Sequence, residues 1–292
     1  MFLLVATMVS MTWAGISAWN PMNVWELALY EGSMFTIRQH VLANWESGLV
    51  FSLSLAAILG AHELGHYFVT KLYRIPSTLP LFIPFPIGPT GTCGAVILMD
   101  GFKADRKQIF DIGIAGPLAG LVFAIPIAWF GLLSENYPAT TGSTIQFGQP
   151  LGISLLNMLA NPTSPVSVDW VPNTSMNPLL MAAWVGLLVT GLNMIPISQL
   201  DGGHVLFGLL GRKSAIVSLG IYLTCVVYVV FSSVKYGEPV FILMLILIPL
   251  MGISHPPSRN DDVHLGWGRV LLGAMALLIP VFCLPLRPIQ IL

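Results

Sequence analysis

The chain has 292 residues, of which 55% are hydrophobic and only 9% charged, against about 25% charged in a soluble globular protein. That composition excludes a water-soluble fold. Twelve Lys and Arg against 13 Asp and Glu, a formal net charge of -1, leave no basic field for nucleic acid. Cys93, Cys225 and Cys283 lie too far apart for a disulfide framework or a CxxC metal site.

A membrane-spanning helix needs about 20 mostly apolar residues. Met1 to Trp19 carries no charge, has no basic start and no clear cleavage site, and reads as a retained first span rather than a signal peptide. Val24 to Trp45 mixes Glu26, Glu31, Arg38 and His40 with Leu, Tyr, Phe and Trp and predicts an interfacial helix. Gly48 to Val69 is the second span. The segment LPLFIPFPIGPTGTCGAVILMDGF that follows is too apolar for a free loop and too broken by Pro and Gly for a helix; Gly94 to Met99 is its best strand. Ile112 to Ser134 is the third span. Asn136 to Asn177 reads as a loop with a short helix at Leu151 to Leu159. Further spans are predicted at Leu179 to Leu200, Ser214 to Val234, Pro239 to Ser254 and Val270 to Leu286. The last two are short, so six or seven crossings are expected, and the fold class is an all-α polytopic membrane protein.

If the chain starts inside, the inner loops hold Lys71, Arg74, Lys103, Arg106, Lys107, Arg212, Lys213, Arg259 and Arg269, and the outer segments only Arg38, Lys235 and Arg287. This asymmetry favours an inside N-terminus.

Near the inner end of the second span the sequence AHELGHYFVTK sets His62, Glu63 and His66 in the HExxH arrangement. Positions i and i+4 share a helix face, so both imidazoles can reach one metal while Glu63 is aimed at the water it would activate. Two histidines and a carboxylate in an apolar span are costly unless they share a partner, which a zinc ion supplies. A third ligand is expected at similar depth on another span. Asp201, in GLNMIPISQLDGGH at the inner end of the fourth span, is the only acidic residue between Asp169 and Glu238. Pro196 and the Gly202-Gly203 pair predict irregular backbone around it, tolerable at membrane depth where it lines a wet cavity. Asn193 is placed either to bond a substrate carbonyl or to bond another helix.

An intramembrane HELGH followed by an LDGG helix end resembles the site-2 protease family of zinc intramembrane metalloproteases, over roughly Leu49 to Lys213. The resemblance implies that His62, His66 and Asp201 bind Zn²⁺, that Glu63 is the general base and that Asn193 assists the substrate carbonyl. Asn193, Pro196, Leu200, Asp201, Gly202 and Gly203 match the family's NxxPxPxLDGG motif, with Ser198 where relatives often carry a second proline. Ile112 to Gly120, IGIAGPLAG, is similar to the family's glycine-proline helix start, and Gly113, Gly116 and Gly120 offer a small face for close packing. The Pro- and Gly-rich segment resembles the family's membrane re-entrant β-hairpin, whose strand edge binds an unwound substrate; the plainer reading is a buried connector. His204 either touches the site or is a solvated loop residue, and His40, His255 and His264 read as non-ligands. The PDZ and CBS domains common in relatives have no place in this compact chain.

The expected organisation is an N-terminal part over 1-46, a catalytic core over 47-213 and C-terminal helices over 214-292. The expected function is intramembrane endopeptidase cleavage of a transmembrane protein substrate within the lipid bilayer. Two rivals are a non-catalytic homologue that binds membrane helices and a metal or proton transporter. A bacterial or archaeal plasma membrane is the first expectation for location, an organelle membrane the alternative.

Overall fold

The computed structural model describes residues 2-134, 145-160, 170-197, 199-237, 241-252, 255-256 and 258-291. It is mostly helical, in the order α1 (Phe2–Ile16), α2 (Pro21–Glu31), α3 (Phe35–Leu72), β1 (Leu81–Phe85), β2 (Gly91–Val96), α4 (Arg106–Leu133), β3 (Ile145–Gly148), α5 (Leu151–Ala160), β4 (Trp170–Pro172), α6 (Pro178–Asn193), α7 (Asp201–Leu210), α8 (Ser214–Tyr236), α9 (Ile242–Met251), α10 (Trp267–Ala276), α11 (Ile279–Cys283) and β5 (Ile289–Ile291).

Among the described residues, three helical runs are long and apolar enough to cross a membrane: α3, α4 and the run from Asp201 to Tyr236 that joins α7 to α8. Together α1 and α2 would make a fourth, but they bend by 75° against each other. The expected interfacial helix over Val24 to Trp45 is divided. Asn20 caps α2 and Gly32 ends it in a left-handed conformation, after which α3 runs unbroken for 38 residues, about 57 Å. No Gly or Pro interrupts Phe35 to Ser47, so nothing stops the helix before the span proper.

The helix α6 is the centre of the bundle. Its side chains from Leu180 to Val185 are all buried, as expected of a helix that is apolar all round. Phe51, Leu55, Ile58 and Leu59 of α3 and Ala124 and Leu132 of α4 pack in the same core. Asn177 starts α6 by accepting from the Leu180 amide at 2.8 Å and joins it to the end of α4 by donating to the Gly131 carbonyl at 2.8 Å. By contrast, Val122, Ile125 and Phe130 of α4 and Ile216, Val227, Val230 and Val234 of α8 are exposed, the surface a bilayer would cover.

The segment between α3 and α4 is a β-hairpin. Antiparallel β1 and β2 pair Leu81 with Val96 and Phe85 with Gly91, with a register shift between Phe82 and Pro84. Gly94, opposite the shift, has φ +98°. The Thr92 hydroxyl holds the irregularity, donating to the Ile83 carbonyl at 2.9 Å and accepting from the Gly94 amide at 3.0 Å. The strand thus begins at Gly91 rather than Gly94. Beyond it the chain stays extended, with the Thr78 amide bonded to the Leu98 carbonyl at 2.9 Å.

A second sheet, β4-β3-β5, is antiparallel throughout and adds strands beyond the one hairpin expected in a mostly helical fold. It forms at the α6 end away from Asn193, where Trp184 donates to the Gly148 carbonyl at 2.7 Å. The predicted helix at Leu151 to Leu159 is present as α5. The span expected at Val270 to Leu286 is two short helices, α10 and α11, and the Asp169 loop, Ser198 and the ends of the Pro239 to Ser254 span lie outside the described residues.

Candidate metal centre

His62, Glu63 and His66 lie on α3, two to three turns before its end, and α3 and α4 pack closely along this stretch. Gly65 is what permits it: a Cβ there would stand 2.6 Å from the Ala115 carbonyl oxygen. Across the site, α6 ends at Asn193, the chain turns at Met194 to Ile197, and α7 begins at Asp201. The expected fourth span is therefore broken at Asn193, and Asp201 opens a new helix rather than closing an old one. Pro196 lies in the break, as expected, but Gly202 and Gly203 are already inside the first turn of α7. Gly202 serves the turn in another way, because any side chain on it would overlap the Met194 carbonyl folded back against it.

These elements bring His62, His66 and Asp201 together. Nε2 of His62 is 3.1 Å and Nε2 of His66 is 3.3 Å from Oδ2 of Asp201, and the three can each offer a ligand atom within 4.8 Å of the others. Three electron-pair donors this close need a proton or a cation between them. The donor set, two imidazole nitrogens and a carboxylate oxygen, suits Zn²⁺ with a coordination position left open. The His66 ring is fixed in orientation. Its Nδ1 donates to the Ile112 carbonyl at 2.8 Å, so the lone pair is on Nε2, facing Asp201. Nδ1 of His62 is buried without a partner.

Glu63, 8% exposed, and Asn193 border the same cavity, of about 660 Å³. The Asn193 amide nitrogen is 3.5 Å from Nε2 of His62, the limit of a hydrogen bond. Ala95 to Met99, the end of β2 and the extended chain after it, form one wall of the cavity. A larger cavity of about 940 Å³ between α8, α9 and α11 is apolar and contains none of these residues.

Two further histidines border the site. His204 is on α7, not in a solvated loop, and both it and His255 line the cavity. The spacing Asp201 to His204, three residues on one helix, is the signal that could have placed His204 there. Nothing in the sequence near His255 points to the site.

The basic residues assigned to inner loops gather at one end of the bundle. Arg106 donates to the Gly208 and Leu209 carbonyls at 2.9 and 3.1 Å, closing the C-terminus of α7. Arg269 holds Asp111 with bonds of 2.7 and 3.0 Å, and Tyr73 donates to the same carboxylate. Burial and the Asp111 charge both push the Tyr73 phenol up from its ordinary value. Arg212 pairs with Asp261 at 3.0 Å and Arg259 with Asp105 at 3.4 Å.

Comparison with known proteins agrees with the motif reading. The rice (Oryza sativa subsp. japonica) protein named "Probable zinc metalloprotease EGY1, chloroplastic" is 30% identical over 253 residues, 85% of this chain and 42% of its own length. The Arabidopsis thaliana proteins of the same name and of the name "Probable zinc metalloprotease EGY2, chloroplastic" are 28% and 29% identical, each over 82% of this chain. The chain spans less than half the length of these relatives. Their chloroplast location does not fit the prokaryotic plasma membrane expected from the sequence; what the apolar helices support is the coarser property of a membrane-integrated protein. No solved structure matches the chain. The family described as Peptidase family M50 matches residues 50-232, more than half the chain and inclusive of His62, Glu63, His66, Asn193 and Asp201, and the chain belongs to that family.

Proposed function

We propose that this chain is a zinc-dependent endopeptidase that works inside the membrane, cleaving a transmembrane segment of another membrane protein. The observation that carries the reading is the convergence of His62 and His66 from α3 with Asp201 from α7 on one point, beside Glu63 and Asn193, in a cavity walled by the chain of β2. In this reading His62, His66 and Asp201 hold the zinc ion. When bound, it lowers the pKa of a water at the site to about 7 and polarises the scissile carbonyl. Glu63 takes a proton from the water as its oxygen bonds to the carbonyl carbon, and delivers a proton to the amide nitrogen as the C–N bond breaks. Asn193 donates its amide N–H to the carbonyl oxygen as negative charge develops there.

An intrahelical peptide bond is closed to attack until the helix unwinds. The hairpin of β1 and β2 is read as re-entrant in the membrane, its free edge pairing with the unwound segment. Residues 47-213 form the catalytic core in this account, with 1-46 and 214-292 as flanking parts. Beyond the three long runs, α1, α6 and the C-terminal helices are read as the additional crossings that bring the number to six or seven. The N-terminus and the active-site end face inward, a placement supported by the gathering of Arg106, Arg212, Arg259 and Arg269 around the ends of α4 and α7. The cleaved soluble fragment leaves on that side.

The test is Glu63→Gln. It is expected to keep zinc and lose cleavage of a helical model substrate in detergent, and cleavage at the wild-type rate would sink the reading.

A further inference from the structure

His204 and His255 make a hydrogen-bonded pair on the cavity wall that the chemistry above does not use. His204 follows Asp201 by three residues on α7 and so shares its face. Its Nδ1 is 2.8 Å from Nε2 of His255, and Nδ1 of His255 is 2.6 Å from the Pro256 carbonyl oxygen. The His255 ring is stacked on Phe207, with centroids 4.1 Å apart and planes at 8°, so it cannot turn away without losing both contacts.

This chain of bonds sets a tautomer. A carbonyl only accepts, so Nδ1 of His255 carries a hydrogen, and in the neutral ring Nε2 carries the lone pair. Burial lowers the basicity of His255 below the ordinary imidazole value, consistent with that neutral form. His204 must then donate from Nδ1 to His255. Its remaining nitrogen, Nε2, is left as an acceptor on a ring that lines the cavity.

An unwound peptide brings unpaired main-chain N–H and C=O groups into a largely apolar enclosure, where each is costly unless bonded. In the reading above the zinc ligands and Glu63 are committed elsewhere, and Asn193 is a donor for a carbonyl. We propose that His204, its tautomer set by His255 and Pro256, is a substrate-positioning residue whose Nε2 accepts a hydrogen bond from a main-chain N–H of the unwound segment. The bond holds that segment in place within the cavity that the β2 chain also lines. This inference rests on the peptidase reading and deepens it.

The test uses the full chain with Glu63→Gln, which binds without cutting, and a fluorescent single-span peptide in detergent micelles. Adding His204→Phe is expected to weaken binding roughly five- to thirtyfold, the effect of one N–H left unpaired, with zinc content unchanged. His255→Ala is expected to weaken it less, because the freed His204 ring samples both tautomers. His255→Gln, whose side-chain oxygen can accept from Nδ1 of His204, is expected to restore it. In the active chain His204→Phe is expected to raise KM more than it lowers kcat. Unchanged affinity in both the His204→Phe and His255→Ala forms overturns the proposal, as does loss of zinc in either. Nitrogen NMR of labelled histidine gives an independent readout, since a protonated Nε2 on His204 in the resting protein also overturns it. A peptide that binds the Glu63→Gln form but is never cut by the wild type sinks the peptidase reading alone, and the His204 effect on binding remains measurable.

Discussion

Gly116 of α4 lies directly against the ring of His66. A Cβ on Gly116 would overlap Nε2, Cδ2 and Cε1 of that imidazole. The small-residue face of α4 therefore does more than let two helices approach. It makes room for the imidazole proposed as a metal ligand, while the Ile112 carbonyl one turn earlier orients the same ring.

Gly116→Ala is thus expected to displace His66 and weaken zinc binding by roughly 10- to 100-fold, the range seen when the support of a metal ligand is disturbed. Gly120→Ala, whose Cβ would stand 3.3 Å from Cβ and Nδ1 of His62, is expected to be milder. Zinc content after dialysis against a graded chelator series ranks the two, and an equal or inverted order would contradict the packing described here.

Asp201→Asn keeps the shape of the side chain and removes its charge. Since both Nε2 atoms converge on Oδ2 of this residue, zinc affinity is expected to fall by more than the Gly116→Ala change causes. Helix content by circular dichroism is expected to stay at the wild-type level. A variant that retains stoichiometric zinc would remove Asp201 from the ligand set.

Thr92→Val deletes the hydroxyl that bonds the Ile83 carbonyl and the Gly94 amide. The expected cost is about 0.5–1.5 kcal/mol of local hairpin stability for each bond. Cleavage of a helical transmembrane substrate is expected to drop several-fold, while hydrolysis of a short unstructured peptide changes little. Equal losses on the two substrates would show that the hairpin does not act in unwinding.

Arg269→Met breaks the two bonds to Asp111 and leaves that carboxylate with Tyr73. At this partly exposed site the expected destabilisation is about 1–2 kcal/mol, read by detergent-based unfolding. Combining it with Asp111→Asn is expected to recover part of the loss, because no unpaired carboxylate remains. Additive losses in the double variant would argue against direct coupling of the two residues.

Much of this was legible from residues alone, for definite reasons. HELGH is a local pattern on one helix face, so His62, Glu63 and His66 could be read as a unit before any fold was known. Asp201 was found because acidic residues are expensive in apolar sequence and few enough to consider one by one. Hydropathy located α3, α4 and α8, which are long and apolar without interruption, and it placed α5 nearly to the residue. It mistook the ends of elements whose limits are not local. The broken span at Asn193 and the interruption between α10 and α11 depend on what packs against them, whereas the early start of α3 follows from the uninterrupted sequence after Gly32.

The tertiary structure alone decided three things. The pairing of β5 with β3 joins segments more than a hundred residues apart, and no local pattern encodes a partner at that distance. His255 reaches the cavity on contacts with His204 and Phe207 of α7, and Arg106, Arg212 and Arg259 tie the segment that follows it to the ends of α4 and α7. And Gly116 is significant only when the ring of His66 is seen lying on it. In each case chemical type is written in the sequence, but contact depends on how helices and strands distant along the chain are brought together, which is the work of packing.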